Sequence, residues 1–385
     1  MLKKIKVTIL STLVAIGSLG LVGCSKSDNE NAQDKLKVAL VLSEGGVNDQ
    51  SFNQSAWEGA KKAGEELGVE VTYLESSSSL DYMQNVETAV DQDNDLIIGV
   101  GFQLGDTMKE AAESYPSQQF AIIDNSYEET LENLRSITFN EEQAGYAVGL
   151  VASKMTKSKK VGFIGGMDIP SCSNFSVGFK KAMEEELKGS QTLIQFTNSF
   201  TDAAKGRVVA EQMVQQGVDI IFMAAGGGNA GILEVVRENN IKAIGVDMAS
   251  NYLAPEYVIT SALKNVGEGV ILTIKDLIDG NFTGGEVKYD LSNGGVGYEN
   301  TKHLNDEIRE FVDSKIILIN TTLNVVLIFY IKEVNMTLKD LLKRISEEDY
   351  DKVIVVSDGK GWTNIEGKIE VDCSTITLFL SKDNR

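Results

Sequence analysis

The chain has 385 residues, 36 Lys and Arg against 56 Asp and Glu, a single histidine and a formal charge of −20. With 42% hydrophobic residues it can bury real cores, in two or three domains or in one two-lobed body with an appendage. The acidic balance argues against nucleic acid as a partner, because such a surface repels phosphates. The lone imidazole, His303, excludes histidine-based triads and His-rich zinc sites within the chain. Cys24, Cys172 and Cys373 are too few and too scattered for a zinc site or a disulfide scaffold.

At the amino end Lys3, Lys4 and Lys6 precede an uncharged apolar stretch over residues 7–23, the pattern of a secretory signal peptide. It ends in Leu21-Val22-Gly23-Cys24 before a polar run, 25–35, and so resembles a bacterial lipobox. That resemblance implies a lipid thioether on Cys24 and removal of 1–23. An uncleaved anchor is the alternative, but the stretch is short for a span and broken by glycines and serines. Cleavage removes three lysines and no acid, taking the charge from −20 to −23. The expected product is lipid-anchored on the extracytoplasmic face of the cell membrane, with 24–35 as a flexible tether.

From residue 36 short apolar runs alternate with amphipathic ones. Strands are expected at 36–42, 69–75, 95–101, 119–124 and 136–140, with helices at 52–67 and 82–90 between them. A second set follows, with strands at 160–165, 192–197, 218–225, 242–247 and 257–263 and a helix at 202–216. Such alternation predicts an α/β chain with two doubly wound parallel sheets, one per lobe. The helix 141–155, capped by Asn140, leads from the first lobe (36–140) to the second (141–264). The helix 265–279 and a strand at 286–291 return the chain, so that about 265–300 rejoins the first lobe. Open α/β sheets bind ligands beyond the carboxyl ends of their strands, which places a site in the cleft between lobes joined by a hinge.

Those strand ends carry the informative residues. The loop 44–53 has two glycines for a sharp turn, and Asp49 or Ser51 suits a helix cap. Phe52 is either core or a stacking platform for a flat heterocycle beside Asp49 and Asn53. Asp124 either caps a turn or accepts hydrogen bonds from a ligand. Gly226, Gly227, Gly228 and Gly231 satisfy G-x-G-x-x-G after a strand, and Asp247 follows at the next strand end. This is the fingerprint of an NAD(P)-binding enzyme. Export, the mid-chain position and the missing proton-transferring histidine oppose that reading. A nucleoside without phosphates uses the same features, with Asp247 accepting a pair of hydrogen bonds from a ribose diol.

Cys24, the run Gly46-Val47-Asn48-Asp49-Gln50-Ser51-Phe52-Asn53, the run 199–206, Ala224-Ala225-Gly226-Gly227-Gly228, Gly245-Val246-Asp247 and Thr260-Ser261-Ala262-Leu263-Lys264 together resemble the basic membrane protein family, the purine-nucleoside-binding lipoproteins of ABC transporters. The resemblance runs over about 36–314. It implies a two-lobed type 1 periplasmic binding fold and a solute-binding protein that delivers a nucleoside to an ABC permease and its ATPase subunits, with no cofactor and no catalysis. It further implies that Phe52 stacks on the base, Asp49 and Asn53 line the pocket, and Asp124 reads the base edge. Gly226, Gly227 and Gly228 approach the sugar, and Asp247 and Lys264 hold its hydroxyls. The loop 168–175 is more polar than the family pattern, and the second stacking ring is left unassigned, as is the choice among nucleosides. The run 199–206 reads as a helix start, with Asp202 near its first turn. A non-transport surface lipoprotein is the remaining alternative.

After a carboxyl-terminal helix (301–315) comes an apolar junction (316–335), whose run 316–331 is short for a membrane span and interrupted by two asparagines and two threonines. The tail 336–385 restarts with an amphipathic helix at 336–345, a strand at 352–357 and β-rich stretches near 367–371 and 375–380. Its expected origin is a fusion: a frameshift near Lys315, then a separate reading frame from Met336, the alternative being an ordinary accessory domain. If so, a blot of native membranes shows the abundant processed product well below 41.8 kDa; an abundant processed band at full size refutes the fusion.

Overall fold

The computed structural model describes residues 35–317, 368–372 and 375–379. In chain order β1 (Lys37–Leu42), β2 (Glu70–Glu75), β3 (Leu96–Val100), β4 (Gln119–Ile123) and β5 (Leu134–Phe139) build one sheet. A second is built by β6 (Lys160–Gly165), β7 (Gln191–Phe196), β8 (Ile220–Ala224), β9 (Lys242–Asp247) and β10 (Val258–Lys264). β11 (Gly285–Tyr289) then joins the first sheet and β12 (Val296–Tyr298) the second. The orders are β11-β5-β4-β3-β1-β2 and β12-β10-β9-β8-β6-β7, so each strand of one lobe has a counterpart in the other. Every neighbouring pair is parallel except β12 against β10.

The helices are α1 (Phe52–Leu67), α2 (Tyr82–Asp91), α3 (Gly105–Ser114), α4 (Glu141–Met155), α5 (Pro170–Glu186), α6 (Ala203–Gln215), α7 (Asn229–Glu238), α8 (Val266–Ile278) and α9, described over 306–317. Strand periodicity explains how they cover both faces of each sheet. On β1, Val38, Leu40 and Leu42 belong to the cluster that holds Ala56 and Ala60 of α1 and Val270 of α8. Ala39 and Val41 belong to the cluster that holds Val86 of α2 and Met108 of α3. In the second lobe Phe222 of β8 meets Phe163, Phe175 and Phe179 edge-on at centroid distances of 5.2, 5.8 and 5.4 Å. Ile221 and Met223 join the cluster of α6 and α7. Each of the Val, Leu, Ile, Phe and Met side chains among them contributes about 1.5–3 kcal/mol by burial.

Local chemistry sets the ends. The Asn140 side chain accepts from the Gln143 N–H and starts α4 where expected, and Asp202 accepts from the Lys205 N–H to start α6. The stretch 168–175, expected as loop, is helical from Pro170, whose fixed φ suits a first turn. The final helix begins at 306 because Asn305 caps it through the Ile308 N–H. The expected return of about 265–300 to the first lobe stops short of β12, which pairs antiparallel with β10 in the second sheet.

The chain therefore crosses between sheets at β5–α4, at β10–α8 and between β11 and β12. Asn140 donates to the Tyr289 carbonyl at 2.8 Å, Leu291 N–H to Gln143 Oε1 at 2.8 Å, and Asn265 N–H to the Gly295 carbonyl at 2.9 Å. These bonds lash the three crossings into one hinge.

The export segment, the junction beyond 317 and the segments expected at 336–345 and 352–357 lie outside the described residues. Of the tail, β13 (Lys368–Asp372) and β14 (Thr375–Phe379) form the two β-rich stretches expected there, paired antiparallel. Among the described residues no helix is long and apolar enough to cross a membrane.

The approach of α5 to α4 is close enough to require glycine. A Cβ at Gly178 would lie 1.8 Å from the Glu142 carbonyl oxygen. Gly178→Ala is expected to lower stability by about 1–3 kcal/mol in urea unfolding; an unchanged midpoint would mean that the helices part freely.

Candidate functional site

The carboxyl ends of both sheets open into one cleft, which encloses about 670 Å³ between atoms, the mouth included. The first lobe lines it with Ser43, Gly45, Asp49, Ser51, Phe52 and Asn53 after β1, Gly101, Phe102 and Gln103 after β3, and Asp124 after β4. The second lobe supplies Ile169, Ser171, Cys172 and Phe175 around the start of α5, Phe200 after β7, Gly226 after β8, and Asp247 and Lys264 from the ends of β9 and β10.

Asp49 does both things its sequence context allows. Its carboxylate accepts from the N–H groups of Ser51, Asn53 and Gln54 at 2.9, 2.8 and 3.1 Å, which holds the amino end of α1, and it also lines the cleft. Burial raises its pKa although those N–H groups pull it down. Asn53 is buried and braces the β1–α1 loop by donating to the Ser43 and Gly46 carbonyls, both at 3.2 Å. Phe52 packs partly on the core and also lines the cleft.

Asp124 and Asp247 end counterpart strands, and both adopt left-handed backbone, with φ of 66° and 61°. That conformation is uncommon for a residue with a side chain and concentrates at functional sites. Lys264 Nζ lies 2.6 Å from Asp124 Oδ2 and 3.0 Å from Glu141 Oε1, with side-chain exposures of 1%, 8% and 4% for the three residues. The Ser51 hydroxyl donates to Asp247 Oδ2 at 2.5 Å, a second bond between lobes. The ammonium also faces the rings of Phe52, Phe139 and Phe175 at 5.4, 5.3 and 6.0 Å. Lys264 thus pairs with Asp124 and Glu141, and the charge of Asp247, with which the family resemblance groups it, also raises its pKa.

Burial sets the electrostatics. It pushes Asp247 up to about 6 against the pull of Lys264 and the Ser51 hydroxyl. It also raises Asp124, which Lys264 opposes and Glu141 reinforces. Burial works against the Lys264 ammonium, but Asp124, Glu141 and Asp247 outweigh it and raise its pKa. The Cys172 thiol is pushed up to about 12 by burial, which keeps it protonated near neutral pH. Among the described residues no group of His, Cys, Asp and Glu is arranged to hold a metal ion.

The glycine loop has another use than phosphate binding. Gly226, with φ of 55°, lines the cleft, but Gly227 N–H donates to the Phe200 carbonyl at 2.8 Å and Gly228 N–H to the Ala225 carbonyl at 2.9 Å. Gly231 lets α7 meet α6: a Cβ there would lie 1.9 Å from the Ala203 carbonyl oxygen. The fingerprint is therefore a tight turn and a helix contact, and two of the N–H groups that a pyrophosphate would need are already engaged. Sequence reasoning missed Phe175, Phe200, Phe102, Gln103 and Glu141. Phe200 sat inside a run read as a helix start and Phe175 inside a presumed loop. Glu141 carried one signal, its place directly after the Asn140 cap.

Residues 36–327 match the profile of the family described as ABC transporter substrate-binding protein, PnrA-like, past the limit near 314 that the motifs suggest. The ABC transporter nucleoside-binding protein BmpA of Lactococcus lactis subsp. cremoris is 35% identical over 346 residues, covering 81% of this chain and 98% of that one. Basic membrane protein A of Borreliella burgdorferi is 35% identical over 309 residues, covering 78% of this chain and 90% of that one. Among solved structures, an ABC transporter solute-binding protein from Aeropyrum pernix superposes with a TM-score of 0.65 at 30% identity, covering 73% of this chain and 85% of that one.

The raised pKa of Asp247 has a stability consequence. A carboxyl whose folded value exceeds its unfolded value supports folding at low pH, and that support is lost as pH rises from about 4 through about 6. Asp247→Asn, which can still accept from Ser51, is expected to melt higher than the parent at pH 8, by at most on the order of 3 kcal/mol. The gap should close toward pH 4. An equal or lower melting point at pH 8 would show that burial does not strain this carboxylate.

Proposed function

The chain belongs to the family of PnrA-like ABC transporter substrate-binding proteins, and from that premise we propose that it captures a nucleoside, a purine nucleoside by family resemblance, in the cleft and passes it to an ABC permease and its ATPase subunits. It works on the extracytoplasmic face of the membrane, held there by lipid on Cys24. The observation that carries the reading is the convergence of two strand-end aspartates, one from each lobe, beside a buried lysine and the rings of Phe52, Phe175 and Phe200.

A nucleoside presents a flat apolar base and a polyol, and this cleft offers a matching set. Phe52 stacks on the base, with Phe175 or Phe200 as the opposing ring, and Asp124 accepts from a donor on the base. Asp247 accepts from the ribose diol, where a ligand hydroxyl would compete with Ser51, and Gly226 allows close approach. Asp49, Asp124, Glu141 and Asp247 outnumber Lys264, which disfavours a phosphorylated ligand. Closure needs both lobes to touch the ligand, so binding draws the domains together about the lashed hinge. No step requires a catalytic group.

The test uses the chain from residue 24 onward with Cys24→Ser, melted with inosine, guanosine, adenosine, uridine, ribose, AMP and NAD. Inosine or another nucleoside should raise the melting temperature, the stabilisation reaching about 2.7 kcal/mol at 100 times the dissociation constant. Asp247→Ala should abolish the shift. A response to NAD alone would favour a dinucleotide enzyme, and no response to any nucleoside would leave the surface-lipoprotein reading.

A further inference from the structure

Glu141 is 4% exposed, opens the crossing helix α4 and is ion-paired with Lys264 of the cleft. We propose that Glu141 is a positioning residue for ligand recognition: by its ion pair with the Lys264 ammonium at 3.0 Å it holds Lys264 on Asp124 Oδ2 and leaves Asp124 Oδ1 as the acceptor presented to a donor on the ligand. The identity of that donor, a ring N–H or a sugar hydroxyl, rests on the nucleoside reading above; the positioning itself rests on geometry.

Asp124 Oδ1 is buried and has no hydrogen-bond partner, on a side chain that is 8% exposed. A buried carboxylate oxygen without a donor is costly, and a ligand donor removes the cost. The direction of Oδ1 follows from its surroundings. The Asp124 backbone is held in the left-handed region, with its N–H donated to the Ile137 carbonyl at 3.0 Å. Oδ2 is occupied by Lys264. The rings of Phe52, Phe139 and Phe175 stand around Nζ and provide no hydrogen-bond acceptor of comparable strength, so the two carboxylates direct the ammonium. Without Glu141, Nζ is free to straddle both oxygens of Asp124 and to mask Oδ1.

The placement of Glu141 also fits its charge. It lies in the first turn of α4, where the helix amino end favours an acid. Asp124 belongs to the first lobe and Lys264 to the second, so the hinge helix joins the pair that spans the cleft. The groups facing Asp124 are Lys264 from β10, Glu141 from α4 and Asp247 from β9; Asp49 faces Asp247 from the loop before α1, as does the Cys172 thiol from α5. Glu141 is one of the two neighbouring carboxylates that push Asp124 toward protonation. Replacing it by glutamine keeps an acceptor for Lys264 and removes that push.

The test measures inosine affinity by calorimetry between pH 5.5 and 8.5 for the chain from residue 24 with Cys24→Ser and for Glu141→Gln, Glu141→Asp and Glu141→Ala in that background. The parent should weaken roughly tenfold as pH falls from 8 to 6 as Asp124 gains a proton, and Glu141→Gln less than about threefold. Glu141→Ala should bind at least about tenfold more weakly at pH 8, and Glu141→Asp should recover most of that loss. Parent-like affinity and pH profile in Glu141→Ala would overturn the proposal, as would a lowered melting temperature with unchanged affinity, the mark of a purely structural residue. If the parent binds no nucleoside, the nucleoside reading falls and ligand-free melting decides the role of Glu141. The raised Asp124 pKa predicts that parent stability declines as pH rises through neutrality, and Glu141→Gln should flatten that decline. Identical profiles overturn the proposal by themselves.

Discussion

A full positive charge at 1% exposure, that of Lys264, is the constraint around which the cleft is arranged. Burying an ammonium is tolerable only where carboxylates meet it with good geometry, and removing one partner of such a set is far more damaging than never having had it. Asp124 comes to it from the first lobe, Glu141 from the crossing helix, and Lys264 itself from the second lobe. Burial raises the two strand-end aspartates, and the neighbouring carboxylates add to that rise against the pull of Lys264. The cleft is in this sense electrostatically strained: its buried carboxylates lack the donors that would compensate them fully.

The two lobes repeat one plan. Each sheet carries its strands in the same relative order, and each places a left-handed aspartate at the end of the fourth strand from its β2 or β7 edge. Asn140 and Asn265 stand at the equivalent crossings, each hydrogen-bonded to the segment between β11 and β12 or its border. The repetition makes a two-sided cleft, with equivalent strand ends of the two sheets lining one space. The lobes differ in what they bring to the cleft. Phe52 and the Asp49 cap belong to the first lobe, whereas Lys264, Gly226 and Phe200 belong to the second.

Most secondary elements were legible because their signals are local. The apolar alternation of β1 and β6, the Asn140 and Asp202 caps and the amphipathic face of α1 each need a window of a dozen residues, and the expected α1, α4, β6 and β9 have the observed bounds. The start of α5, up to 175, was read as loop because polar residues occupy its first turn, although Pro170 is a start signal there. β12 was given to the wrong lobe because three residues have no periodicity of their own, and their partner β10 lies about 35 residues earlier in the chain.

The site divides in the same way. Residue types and strand-end positions already single out Phe52, Asp124, Gly226 and Asp247, since loops after parallel strands must converge at one edge of a sheet, whereas Lys264 came only with the family resemblance. Which charges meet was not legible: that Lys264 answers to Asp124 and Glu141, that Ser51 reaches Asp247, and that Gly227 and Gly228 use their N–H groups internally. Strand and helix patterns are properties of one segment. Pairing across a cleft is a property of two lobes facing each other through a hinge, with burial deciding the energy of every charge between them, and no stretch of the chain contains that information alone.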